Sequence, residues 1–188
     1  KNAIIKYLEE LLFANDNKKK TKKVKHQYEK YEPAKFAHKG KSSESLKCRL
    51  VLNEGDSAMT TAIKGIVKHY SNNYYGFMST GGVIMNVLRE TTIKTIGGRR
   101  YCDISPALAK NVFFTEFLKI TGLRLNCEYL PGAPEWRDLN YGGVICCLDQ
   151  DHDGLGKIFP QILAMFKTLW PNLLRNGYVA RIPTPIIR

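Results

Sequence analysis

Three things are scarce or missing in this 188-residue sequence, and each narrows what it can be. No stretch approaches the roughly 20 apolar residues of a membrane span. The opening KNAIIKYLEELLF contains acids and no small-residue cleavage site, so it does not read as a secretory leader. The five cysteines, Cys48, Cys102, Cys127, Cys146 and Cys147, include no C-x-x-C pair. The adjacent Cys146 and Cys147 would point to opposite faces of a strand, which argues against zinc and against a disulfide framework. Reduced thiols in a soluble, intracellular chain with no membrane partner are expected. Because the sequence starts at Lys1 and stops at TPIIR, it is expected to be a piece of something larger.

Acid is the third scarcity: 17 Asp and Glu stand against 29 Lys and Arg, a formal net charge of +12. The excess is uneven, with residues 1–47 carrying 13 lysines against 6 acids. NKKKTKKVKHQYEKYEPAKFAHKGKSSES lacks helical or strand periodicity, and residues 18–45 are expected to form a basic linker. Lys20, Lys22 and Lys23 are candidate contacts to a nucleic-acid phosphate, since each lysine beside a polyanion releases counterions. A solubilising tether is the alternative. Upstream, Ile4, Leu8, Leu11 and Leu12 follow helical spacing, so an amphipathic helix is expected within residues 1–17.

Residues 46–188 alternate between strand and helix patterns. CRLVLN and YYGFMST read as short strands, with the helix SAMTTAIKGIVKHY between them and Ser57 available as its cap. GGVIMNVLRETT leads into a loop at IGGRRYCDISP, where Arg99 and Arg100 could reach a phosphate. Pro106 should open a helix that Gly122 stops. A Pro-Gly loop then precedes the strand GVICCL, an acidic turn, a helix from about residue 155 to Trp170 ended by Pro171, and a last strand around GYVARI. Such alternation predicts an α/β fold, a parallel sheet with helices on both faces. Ligands of open sheets bind outside the carboxyl ends of the strands.

Given how little acid there is, its placement is informative. LVLNEGDSA and VICCLDQDHDG both run from apolar strand to carboxylate to glycine turn to helix. Neighbouring strands lie about 4.8 Å apart, so Glu54 and Asp149 would emerge side by side. Carboxylates that close repel unless a cation or a shared proton intervenes. Asp151 adds a third hard oxygen donor, the ligand set Mg²⁺ prefers. An EF-hand loop also opens D-x-D-x-D-G, but its twelfth residue is Glu and here it is Pro160. His152 between the acids is expected to point away, and Asp56 to sit favourably at a helix N-terminus.

EGDSA followed by DQDHDG, with WPNLLRNGYVARIPTPIIR beyond, resembles the Toprim domain of type IIA DNA topoisomerases over about residues 35–188. The resemblance implies a Toprim, Rossmann-like parallel sheet. It also implies Mg²⁺ held by Glu54, Asp149 and Asp151, with Mn²⁺ or Ca²⁺ able to replace it in binding. The activity implied is transient double-strand DNA cleavage and religation, with Glu54 also exchanging a proton with the 3′ oxygen. The family's ATP-binding domain and nucleophilic tyrosine lie outside the matched region, so the chain alone is expected not to cleave. A homodimer, ATP and double-stranded DNA belong to the full-length enzyme, in the nucleus or at a cytoplasmic viral replication site.

Two departures stand out. Gly81 and Val83 replace the Arg and Lys of the cellular P-L-R-G-K run, and Gly156 replaces a usual His. GGVIMN and DGLGKI resemble instead the branch found in African swine fever virus and related large DNA viruses. Two alternatives use the same residues differently: another Toprim enzyme, such as a primase or OLD-like nuclease, or a non-catalytic nucleic-acid-binding module.

Overall fold

The computed structural model describes residues 29–38 and 44–182. The helix expected within residues 1–17, Lys20, Lys22, Lys23 and the closing TPIIR lie outside them. In chain order the elements are β1 (Tyr31–Glu32), a 3₁₀ turn (Ser45–Lys47), β2 (Arg49–Asn53), α1 (Asp56–Tyr70), β3 (Tyr75–Ser79), β4 (Thr91–Ile96) and β5 (Arg99–Ile104). Next come α2 (Pro106–Lys110), α3 (Val112–Thr121), α4 (Pro134–Arg137), β6 (Val144–Cys147), a π-helical turn (Gly154–Ile158), α5 (Phe159–Leu169), α6 (Pro171–Arg175) and β7 (Val179–Arg181).

The main sheet has the order β1-β3-β2-β6-β7 and is parallel except for β1, which runs antiparallel to β3. Leu50, Val51, Leu52 and Asn53 are all fully buried, as a strand covered on both faces demands. Leu50, Leu52, Met78, Val144 and Cys146 join Phe114, Phe117, Ile162 and Phe166 in the core shared with α3 and α5. Val51 and Phe77, paired in register, are buried on the opposite face, under α1, which contacts both β2 and β3.

Several expectations are corrected. Residues 31–37, placed in the basic linker, belong to the folded unit: Tyr31, Ala34 and Ala37 are buried in the core. The Tyr31 and Tyr141 hydroxyls lie 2.7 Å apart, and the Ala34 amide donates to Tyr141 at 3.2 Å. The segment read as a loop around IGGRRY is instead the β4–β5 hairpin, turned by Gly97 and Gly98 at φ 57° and 76°. Two consecutive positive-φ residues are what a tight hairpin turn requires. The helix from Pro106 to Gly122 breaks at Asn111, whose side chain accepts from the Phe114 amide and starts α3 afresh. Ser57 is not the cap of α1; Gly55 is, and Asp56 stands in the first turn.

The helix after the acidic turn begins wide, with the Ile158 amide donating to Asp153 O at 2.9 Å, a π-type span. Pro160 lacks an amide for the ordinary ladder at this point, which favours the irregular turn. Among the described residues no helix is long and apolar enough to cross a membrane.

Candidate metal centre at the strand ends

β2 and β6 are parallel neighbours in register from Leu50↔Val144 to Asn53↔Cys147, so both chains leave the sheet at one edge. Glu54 follows Asn53 directly and is half-buried; Asp149 stands two residues beyond Cys147 and is exposed. The acidic turn then curls back. Asp151 Oδ1 accepts from the amides of Asp153 at 3.0 Å and Gly154 at 2.8 Å, and the residue is exposed. Gly154 closes the arrangement: a Cβ there would lie 2.3 Å from Asp149 O and 3.1 Å from Glu54 Oε2. Only glycine lets the turn approach Glu54 so nearly.

From the other side Glu54 is held by the end of β3. Its carbonyl accepts from the Gly82 amide at 3.0 Å and lies 3.0 Å from Thr80 Oγ1. That hydroxyl also lies 2.8 Å from Gly82 O, and its single proton serves one acceptor at a time. Gly81 and Gly82 make this turn at φ 71° and 103°. The carboxylate itself is less well served, since Glu54 Oε2 is buried with no hydrogen-bond partner. So is Asn53 Oδ1, while Asn53 Nδ2 donates to Val51 O at 3.3 Å.

Burial holds the Glu54 carboxyl above the usual carboxylate range, and repulsion from Asp151, Asp149 and Asp153 adds to it. Asp153 behaves oppositely: Lys157 bonds it at 2.5 Å and pulls its carboxyl down. Its charge is therefore already met. Lys30 Nζ approaches Asp56 Oδ2 at 3.4 Å. The donor set left over is Glu54 Oε2, the Asp149 carboxylate and the Asp151 carboxylate, all hard oxygens suited to a Mg²⁺-like ion. These residues fit such an ion by chemistry and by the orphaned Glu54 atom. They do not converge as they stand: among the described residues no three His, Cys, Asp or Glu side chains are grouped closely enough to hold one. Side-chain rotation of the two exposed aspartates would have to complete the site.

Other candidates are placed elsewhere. His152 is exposed, its Nδ1 3.3 Å from where a Cβ on Gly156 would be. Arg99 is exposed at the hairpin tip, whereas an Arg100 guanidinium nitrogen donates to Thr168 O near the C-terminal end of α5. α5 starts just after the acidic turn, and its 11 residues span about 16 Å, so Arg100 is anchored well away from the acids. Sequence reasoning missed Thr80, Gly154 as a packing residue, and Lys30. Thr80 and Gly81 could have been suspected from the STGG turn, but nothing local pointed to Lys30.

No protein-family model matches the chain. It is 37% identical over 148 residues to a DNA topoisomerase 2 of African swine fever virus (isolate Tick/Malawi/Lil 20-1/1983), covering 75% of this chain and 12% of that protein. It is 32% identical over 160 residues to DNA topoisomerase 2 of Acanthamoeba polyphaga mimivirus, covering 85% of this chain and 11% of the relative. With the Drosophila melanogaster DNA topoisomerase 2 it shares 33% identity over 152 residues. Among solved structures, it matches the crystal structure of the Plasmodium falciparum topoisomerase II DNA-binding, cleavage and re-ligation domain. The TM-score is 0.66 at 28% identity, over 84% of this chain and 19% of that one. The chain thus spans a small part of the length of the relatives it matches.

Proposed function

The chain belongs, as a segment, to the type II DNA topoisomerase family, and on that premise we propose that it is the metal-binding Toprim portion of such an enzyme. Its role would be to support transient cleavage and religation of double-stranded DNA. The observation that carries this reading is Glu54 Oε2, buried without a partner at the sheet edge where Asp149 and Asp151 also emerge. Burying a carboxylate oxygen unsatisfied is costly and is ordinarily met by a proton or a cation.

In this reading Glu54, Asp149 and Asp151 hold Mg²⁺, with Mn²⁺ or Ca²⁺ able to take its place in binding. Bound there, the ion supplies Lewis-acid charge to a non-bridging phosphate oxygen and to the departing 3′ oxygen. The chain's own residues do the rest. Thr80 and Gly82 fix the Glu54 backbone, and Gly154 brings the acidic turn up to its carboxylate. Glu54 is also assigned the exchange of a proton with the 3′ oxygen. The nucleophilic tyrosine, the ATP-hydrolysing domain and the homodimer contacts are assigned to other parts of the full-length enzyme. A nuclear or cytoplasmic viral replication site is the compartment proposed.

The test is Glu54→Gln in the full-length enzyme. Plasmid cleavage should be lost while duplex affinity stays within about threefold, since the change costs the transition state more than the ground state. The 188-residue chain alone should not nick supercoiled DNA. Nicking by the chain itself, removed by Asp149→Ala, would replace this reading with the Toprim nuclease alternative.

A further inference from the structure

The glycine turn beside Glu54 carries a cation brought from far away in the sequence. Lys30 lies just before β1, and its carbonyl accepts from the Ser79 amide at 3.0 Å, which seats it against the end of β3. From there its ammonium reaches to 3.4 Å from the position a Cβ on Gly81 would occupy, and to 3.4 Å from Asp56 Oδ2. Both partners of that ion pair are open to water, Lys30 with 41% and Asp56 with 65% of the side chain exposed. An exposed pair at this distance contributes little and releases its lysine easily. Asp56, in the first turn of α1, is already favoured by the helix N-terminus and does not need it.

We propose that Lys30 is a phosphate-binding residue of this site, its ammonium leaving Asp56 to hold a non-bridging oxygen of the DNA backbone beside Glu54. The proposal rests on the reading of the strand-end acids as the metal centre. Glu54, Asp149 and Asp151 lie along one rim, close enough for the aspartates to repel the Glu54 carboxylate, and a polyanion is repelled there unless positive charge offsets them. Lys157 is hydrogen-bonded to Asp153 at 2.5 Å, whereas Lys30 stands 3.4 Å from its partner on a flexible stem. Gly81 leaves the space beside the ammonium open, because it carries no side chain and its φ of 71° disfavours one. A lysine acts on phosphate as a mobile point charge, which suits a contact formed only when DNA arrives.

Four variants of the full-length enzyme separate the possibilities: Lys30→Ala, Lys30→Arg, Asp56→Asn and Glu54→Gln. Cleavage-complex formation on supercoiled plasmid with Mg²⁺ and the salt dependence of affinity for a short duplex are measured for each. Lys30→Ala should lower cleavage at least about tenfold, the scale of one charge-assisted hydrogen bond, and reduce the salt slope by about one phosphate. Lys30→Arg should recover most of both, and Asp56→Asn should cleave at least as well as the parent. Normal cleavage by Lys30→Ala, with Glu54→Gln inactive, overturns the assignment and leaves the metal centre standing. Normal cleavage by Glu54→Gln removes the metal centre instead. Equal losses in Lys30→Ala and Asp56→Asn would make the lysine only an ion-pair partner. Since Lys30 pairs with β3 through its carbonyl, these changes should leave β1 in place. A melting curve checks this, and Lys30→Met, which keeps the stem, repeats the test if Lys30→Ala unfolds.

Discussion

Glu54 and Gly154 stand a hundred residues apart in sequence and meet at a point where no side chain fits. A Cβ on Gly154 would come within 3.1 Å of Glu54 Oε2 and 2.3 Å of Asp149 O. The acidic turn is thus pressed against the strand-end glutamate, and a main-chain atom forms the wall.

Gly154→Ala should therefore be costly. The carbonyl of Asp149 cannot swing aside like a flexible side chain, so the turn must shift, at about 1–3 kcal/mol by analogy with overpacking. Both the melting temperature and Mn²⁺ affinity measured by calorimetry should fall. Parental values of both would mean that the close approach is not needed.

The acids of the turn should not be equivalent. Asp149 is exposed at the end of its strand, whereas Asp153 is tied to Lys157. Asp149→Ala should weaken Mn²⁺ binding at least about tenfold, the lower end of what even an outer partner of a metal site costs. Asp153→Ala should change it less than about threefold on the same scale. A reversed order in titration calorimetry would move the centre along the turn.

Glu54 gives a pH dependence of definite sign. Its native carboxyl titrates above the ordinary value of 4.5, so between that value and the raised one the native state binds more protons than the unfolded chain. Stability attributable to this group falls as pH rises through that window, and the penalty is complete above it. Glu54→Gln should flatten this dependence and, without divalent cations, raise the neutral-pH melting temperature. Metal affinity should run the other way, weakening as pH falls into the window and protons compete. Melting curves across pH with and without Mn²⁺ check both.

Basic residues divide by role as well. Residues 31–37 pack into the core, so a test of the Lys-rich arm should remove residues 18–28 only. If Lys20, Lys22 and Lys23 touch phosphate, that deletion flattens the salt dependence of duplex binding; an unchanged slope makes the arm a tether. On the hairpin, Arg99→Ala should lower DNA affinity at unchanged stability. Arg100→Ala should lower the melting temperature, because its guanidinium is bonded to Thr168 O.

Local chemistry explains what was legible in the sequence. Apolar runs at 50–52 and 144–146 could only be buried strands, Pro106 and Gly122 punctuate helices by fixed dihedral preferences, and paired acidic motifs ending two strands pointed to one sheet edge. The family followed from the same two motifs, and its viral branch from GGVIMN and DGLGKI. The hairpin at 91–104 was illegible because its outward strands alternate weakly, with Ile93 and Ile96 left exposed. Its Gly-Gly turn therefore looked like a loop.

What the sequence alone determined was the set of side chains able to do chemistry and the strand each one follows. Only the tertiary structure decided which oxygens remain unsatisfied and which charges are already spent. Asp149 and Asp151 stand out in DQDHDG by their place after a strand, and the structure adds that Asp153 is engaged by Lys157. Lys30 read as one more lysine of a basic arm, yet the pairing of β1 with β3 carries it to the glycine turn. The first distinction is settled by the local turn that sets Lys157 four residues after Asp153, and the second by contacts between residues distant in sequence, which exist only once the sheet has closed.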